Sequence, residues 1–155
     1  MGLLQPHERH RGRARQARLS SPKAIVVHSL AQAQAALAAA ASLGAPLTLL
    51  SGPGAASYAG PAWFLEIVRQ AQAPHPDVPV TAVLDCADQP GRALAALRLG
   101  ATHLRLAGHR RARAGIEAIA KVQGAVIDKT RYDTLDLADA DDSSAAARAF
   151  LIGRP

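Results

Sequence analysis

The chain has 155 residues, the usual size of one domain, and is 49% apolar with only 3% aromatic residues. No apolar run reaches the ~18–20 residues that span a bilayer. Cys86, the single cysteine, excludes an intrachain disulfide and a cysteine-based zinc site. The formal charge of +6 is crowded at the start, where Arg9, Arg11, Arg13, Arg15 and Arg18 stand against Glu8. Residues 1–22 therefore read as a basic, disordered tail ahead of a single domain over 23–155. Such a tail can meet nucleic acid or an acidic partner by neutralising negative charge. No apolar stretch follows it as a signal peptide would require, so a cytoplasmic address is expected.

Beyond the tail, short apolar runs alternate with helical patterns. Ala24 to His28 reads as a β-branched first strand, and Ser29 as the N-cap of a helix over Leu30–Leu43 that Gly44 and Pro46 stop. Leu47–Leu50 is a second strand running into the loop Ser51-Gly52-Pro53-Gly54. Pro61 fits the first turn of a helix carrying Trp63, Phe64, Ile67 and Val68. Val78–Leu84 is a third strand, and a helix from Pro90 to Gly100 follows it. Thr102–Leu106 is a fourth strand, Ile116–Val122 a helix, and Ala125–Ile127 a fifth strand. An acidic stretch, Asp133 to Asp142, then precedes a last helix around Ala145–Leu151.

The pattern predicts an α/β fold: a five-stranded, mostly parallel sheet with helices on both faces. A flavodoxin-like open sheet fits. So does a partial (β/α) barrel, since a complete eight-unit barrel takes ~200–250 residues. The open sheet is the favoured arrangement, because a partial barrel leaves two open edges. A homodimer would cover such edges.

In both arrangements a ligand meets the carboxyl ends of the strands. That rim collects His28, Ser51, Gly52, Gly54, Asp85, Cys86, Asp88, His109, Asp128 and Lys129. Asp85 is the first candidate for a catalytic carboxylate and His28 for a general base. Asp88 either joins Asp85 as a Mg²⁺ or acid/base partner, or simply caps the helix at Pro90. The Ser51–Gly54 loop could present backbone N–H groups to an anion. It lacks the Gly-Lys-Ser/Thr of a Walker loop and the Gly-x-Gly-x-x-Gly of dinucleotide folds. Arg105, His109 and the arginines at 110, 111 and 113 form a basic cluster suited to phosphate, or equally a solvated helix face. Lys129 would form an imine only if its neighbours lowered its pKa, and Asp128 beside it works the other way. Cys86 is expected to be an inert packing residue, its pKa raised by the flanking acids. No metal site is predicted, and no cofactor is identified.

Residues 90–106, with Pro79-Val80 ahead of them, resemble a segment of the 2-keto-3-deoxy-6-phosphogluconate aldolases over about residues 78–108. In that family a Pro-Val strand, a Pro-started helix and a Gly precede the strand bearing the imine-forming lysine. The resemblance implies a barrel-derived fold and lyase- or aldolase-like activity. It also implies lost imine chemistry, because Arg105 stands at the lysine position and stays protonated. The functional expectation is a soluble domain binding a small anionic or phosphorylated ligand at the rim. Against it stands a non-catalytic regulatory or interaction domain whose tail contacts nucleic acid or an acidic partner.

Overall fold

The structure, a computed structural model, describes residues 21–153. The basic tail lies outside the described residues. Four strand–helix steps and a fifth strand lead through β1 (Lys23–Val27), α1 (Leu30–Leu43), β2 (Leu47–Ser51), the short α2 (Ala55–Tyr58), α3 (Pro61–Gln72) and β3 (Val80–Asp85). They continue through α4 (Pro90–Arg98), β4 (His103–Arg105), α5 (Arg110–Val122) and β5 (Val126–Ile127). A sixth strand, β6 (Asp133–Asp136), a 3₁₀ turn (Leu137–Asp139) and α6 (Ser143–Ile152) complete the described chain.

Local chemistry sets these boundaries. Ser29 accepts from Gln32 N to start α1, and Gly44 closes it in the left-handed conformation, where a side chain would be strained. Pro61 and Pro90 occupy the first turns of α3 and α4, where a missing N–H costs nothing. The α4 N-cap is Gln89, without a side-chain bond, so Asp88 does not cap that helix. Asp142 caps α6 through Ala145 N.

All pairings are parallel, in the order β5-β4-β3-β2-β1-β6. The expected class of parallel strands flanked by helices holds, with two differences in detail. The sheet has six strands rather than five, because the acidic stretch supplies β6 beside β1. The helices lie along one face rather than both. Right-handed crossovers between successive neighbours must all fall on the same side, and the packing agrees. Ile25, Val27, Leu49, Leu84 and Leu104 share one buried cluster with residues of every helix, from Leu37 and Phe64 to Ile116 and Ala147. The alternate residues Ala24, Leu50 and Val83 form a separate cluster with Val26 and Tyr132, which contains no helical residue. Of the two arrangements, the protein adopts the partial barrel.

The sheet cannot be flat. From Ile127 to Asp133 the chain takes six Cα steps, a reach of about 20–22 Å at full extension. Five strand spacings of ~4.8 Å would hold the outer strands of a flat sheet ~24 Å apart. Residues 128–132 therefore cross the hollow of a curled sheet as a strap. Tyr132 packs on the concave cluster, and Thr130 O accepts from Arg105 Nη2 at 2.7 Å.

Leu104 is fully buried between the sheet and its helices. Leu104→Ala is expected to lower unfolding free energy by about 2–5 kcal/mol, read from the midpoint of a urea titration.

Candidate functional site

Strand alternation decides which side chains share the hollow. Leu84 and Leu104 point to the helices, so their neighbours Asp85 and Arg105 point to the concave side. Those two are register partners on adjacent strands. Beyond them the chain forms a cavity of about 350 Å³ lined by Asp85, Arg105, Arg113, Asp128 and Lys129. Three cations thus face two carboxylates at the carboxyl ends of β3, β4 and β5. A neighbouring cavity of about 550 Å³ shares Arg105, Asp128 and Lys129 and continues along the strap to Tyr132, Thr134 and Ser21. One cavity at the other end of the strands, of about 310 Å³, has His75 and Asp77 as the ionisable groups of its lining.

Asp85 is held firmly. Its Oδ1 accepts from Gly54 N at 3.0 Å and Ala87 N at 2.8 Å, while Oδ2 takes neither bond. Its own N–H donates to Ser51 Oγ at 2.9 Å, and Ser51 Oγ donates to Gly52 O. The loop Ser51–Gly54 is thereby tied to Asp85, with its Gly54 N–H already engaged. Ala87 adopts φ +48, a conformation that non-glycine residues seldom take, and the Asp85–Ala87 bond helps hold it there. Cys86, wholly buried, has its thiol pushed up to about 12 by burial and by the Asp85 charge, so it is inert as expected.

His28 stands at the β1 end, with Nε2 2.7 Å from Asp136 Oδ1. A Cβ on Gly52 would lie 2.8 Å from the His28 ring and 2.7 Å from the Tyr58 hydroxyl, so a side chain there would push one or both rings aside. Asp136 and Tyr58 are site-rim residues that sequence reading did not single out. His28, Ser51, Gly52 and Gly54 sit on this half of the rim and do not line the cavity of Asp85, Arg105 and Lys129. His109 is the N-cap of α5, accepting from Arg111 N. Asp88 is exposed, with Gly108 packed against its Cα and Cβ. Lys129 is exposed and paired with Glu117 at 2.9 Å.

Asp128 is the buried acid of the site, 9% exposed. Its Oδ1 accepts from Thr130 N at 3.0 Å. Its Oδ2 has no hydrogen-bond partner and lies 4.0 Å from Arg105 Nε. Burial works to raise its pKa, but the Thr130 bonds, the nearby Tyr132 hydroxyl and the Arg105 charge hold the carboxyl below its ordinary value. The Tyr132 hydroxyl acts there through proximity, since no hydrogen bond reaches Oδ2. Among the described residues no group of three or more His, Cys, Asp or Glu is placed to hold a metal ion.

The profile of the class-II fructose-bisphosphate aldolase family matches residues 13–110, which is 98 of 155 residues. The chain belongs to this family. The expected aldolase kinship therefore holds at the level of an aldolase-like barrel, but the family is the class-II fructose-bisphosphate aldolases and not the 2-keto-3-deoxy-6-phosphogluconate aldolases. A crystal structure of a putative fructose-1,6-biphosphate aldolase from Coccidioides immitis matches with a TM-score of 0.57 and 23% identity. It is one of 49 solved chains that match. The alignment covers 69% of this chain and 40% of that one, a likeness of fold that spans less than half of the fungal protein. No curated protein matches the chain. The class-II aldolase match ends at Arg110, so α5, β5, the strap, β6 and α6 fall beyond it. No described helix is long and apolar enough to cross a membrane.

The lowered Asp128 pKa fixes a pH dependence. A carboxyl with a depressed folded-state pKa contributes stability above its unfolded value and loses it as pH falls through the folded value. Between about pH 5 and pH 2, the melting temperature of Asp128→Asn is expected to fall less steeply than that of the wild type. Parallel curves would remove Asp128 from the acid response.

Proposed function

We propose that the chain binds a small phosphorylated or otherwise anionic metabolite in the cavity between Asp85, Arg105, Arg113 and Lys129. The observation that carries this reading is the meeting of three cations with two carboxylates, a net positive lining, at the strand ends of an aldolase-family barrel. Arg105 and Arg113 offer planar forks of donors to phosphate or carboxylate oxygens. Asp85, anchored through Oδ1, keeps Oδ2 for a ligand hydroxyl, as its acceptor in binding or as its base in proton transfer.

Carbon–carbon cleavage of the aldol type also needs an electron sink. An imine lysine is one solution and a Lewis-acidic metal another. Lys129, the lysine that lines the cavity, is exposed and engaged with Glu117. The described donors do not fit a metal either. We therefore assign the described residues to ligand recognition and proton handling, and derive no cleavage step from them. The two rim acid/base candidates sit apart, with Asp85 on the cavity and His28 on the Asp136 side.

Calorimetric titration with inorganic phosphate, triose phosphates and hexose phosphates tests the reading, with matched unphosphorylated sugars as controls. Phosphorylated ligands alone are expected to bind. Asp85→Asn keeps an oxygen acceptor for Gly54 and Ala87 and removes the carboxylate, so it should weaken the hydroxylated phosphates about tenfold, or ~1.4 kcal/mol. Inorganic phosphate should be unaffected or bind more tightly. A flat wild-type titration would overturn the reading. Retention of nucleic acid by the full chain would then favour the basic tail as the functional element.

A further inference from the structure

Arg105 lines the cavity, and three close partners of its side chain belong to the strap. Nη2 donates to Thr130 O at 2.7 Å. The guanidinium carbon stands 5.3 Å from the centre of the Tyr132 ring. Asp128 Oδ2 lies 4.0 Å from Nε. Arg105 falls within the residues matched by the family, whereas its partners, at 128, 130 and 132, fall outside them. The strap therefore brings to this arginine a set of contacts from the part of the chain where the family match has ended.

We propose that Asp128, backed by Tyr132, is a positioning residue that fixes Arg105 for anion recognition in the rim cavity. The proposal rests on the reading of that cavity as an anion site. Asp128 suits the task because it is itself immobile: it is buried, and its Oδ1 is bonded to Thr130 N. With Nη2 engaged and Nε facing the carboxylate, Nη1 remains for the ligand. An arginine ordered in advance loses less conformational freedom when the anion arrives, which strengthens binding.

A second effect runs the other way, and the opposition makes the proposal testable. The Asp128 charge lies beside the cavity and repels an incoming anion, and burial reduces its screening. If charge alone mattered, removing the carboxylate would tighten anion binding. If positioning dominates, removing it weakens binding. Asp128→Asn retains an oxygen for Thr130 N but presents an amide donor to Arg105 Nε, so the guanidinium loses its fixed orientation.

The experiment is a double-mutant cycle on the full chain, titrated with inorganic phosphate at neutral pH and moderate ionic strength. It compares wild type, Asp128→Asn, Arg105→Lys and the double variant, with thermal melts confirming that each is folded. Asp128→Asn is expected to weaken phosphate about five- to tenfold, and to cause no further weakening in the Arg105→Lys background. Tyr132→Leu, which removes the ring and leaves the carboxylate, supplies a second route should Asp128→Asn unfold. It is expected to weaken binding about threefold, again only when Arg105 is present. Unchanged or tighter binding by Asp128→Asn, or by Tyr132→Leu where that variant stands in, overturns the positioning role. So does a loss that persists at full size in the Arg105→Lys background. If wild type itself does not bind phosphate, the rim reading fails and the positioning role with it, an outcome distinct from a binding wild type with a silent Asp128.

Discussion

The limited reach of residues 128–132 governs the architecture. These residues join the two outer strands of a six-stranded sheet, and a parallel sheet gives them no turn to do it with. An ordinary parallel connection crosses behind the sheet through a helix. Here the chain crosses in front, which is possible only because the sheet curls until its edges come within reach. Curling turns the non-helical face into a hollow. The strap then fills that hollow with Tyr132 over Ala24, Leu50 and Val83. A complete barrel closes its interior with strands and inward side chains; this chain closes part of it with backbone.

From that closure follows the division of the rim. Asp85 ties the ends of β2 and β3 together through Ser51 and Gly54. Backbone bonds from Cys86 N to Arg105 O and from Ala107 N to Ala87 O lock β4 beside them. The ends of β2, β3 and β4 are thus joined in a continuous network, which leaves Asp85 Oδ2 and Asp128 Oδ2 outside its hydrogen bonds. At the other half, β6 brings Asp136 to His28. Fixed geometry on both sides suits recognition of a small ligand, since little remains to be ordered on binding. It also suits the glycine at 52, where the loop passes so near the His28 ring that a side chain would displace it.

Much of this order was legible because local chemistry announces itself. The helix Leu30–Leu43 was readable to the residue from Ser29 and Gly44, and Pro61 and Pro90 marked two further starts. The alternating class followed from the spacing of apolar runs. The strand β6 was missed because Asp133 and Thr134 are exposed and the segment carries five aspartates within ten residues. Its signal was present all the same: in Asp133-Thr134-Leu135-Asp136-Leu137, Leu135 and Leu137 recur at the two-residue period of a strand. The placement of all helices on one face depends on strand order, which no local pattern encodes. Asp136 could not be paired with His28 from sequence, as 108 positions separate them. Asp128 was placed at the rim correctly, but its burial depends on the strap folding back over the hollow.

The point where kinship ends also bears on chemistry. The family match covers β1 through β4 and stops at the start of α5, so Asp85 and Arg105 lie within it and Asp128, Lys129 and Tyr132 do not. Asp85 and Arg105 thus come from the shared part, and the residues that contact the arginine side chain come from the remainder. Arginine holds its proton across the accessible pH range, so Arg105 is a fixed positive charge at this end of the sheet. The strap engages its Nη2, faces its Nε with a carboxylate and sets the Tyr132 ring beside it. On the proposed reading these contacts hold the guanidinium in one orientation for an anion, and the buried charge of Asp128 is the physical cost of that constraint.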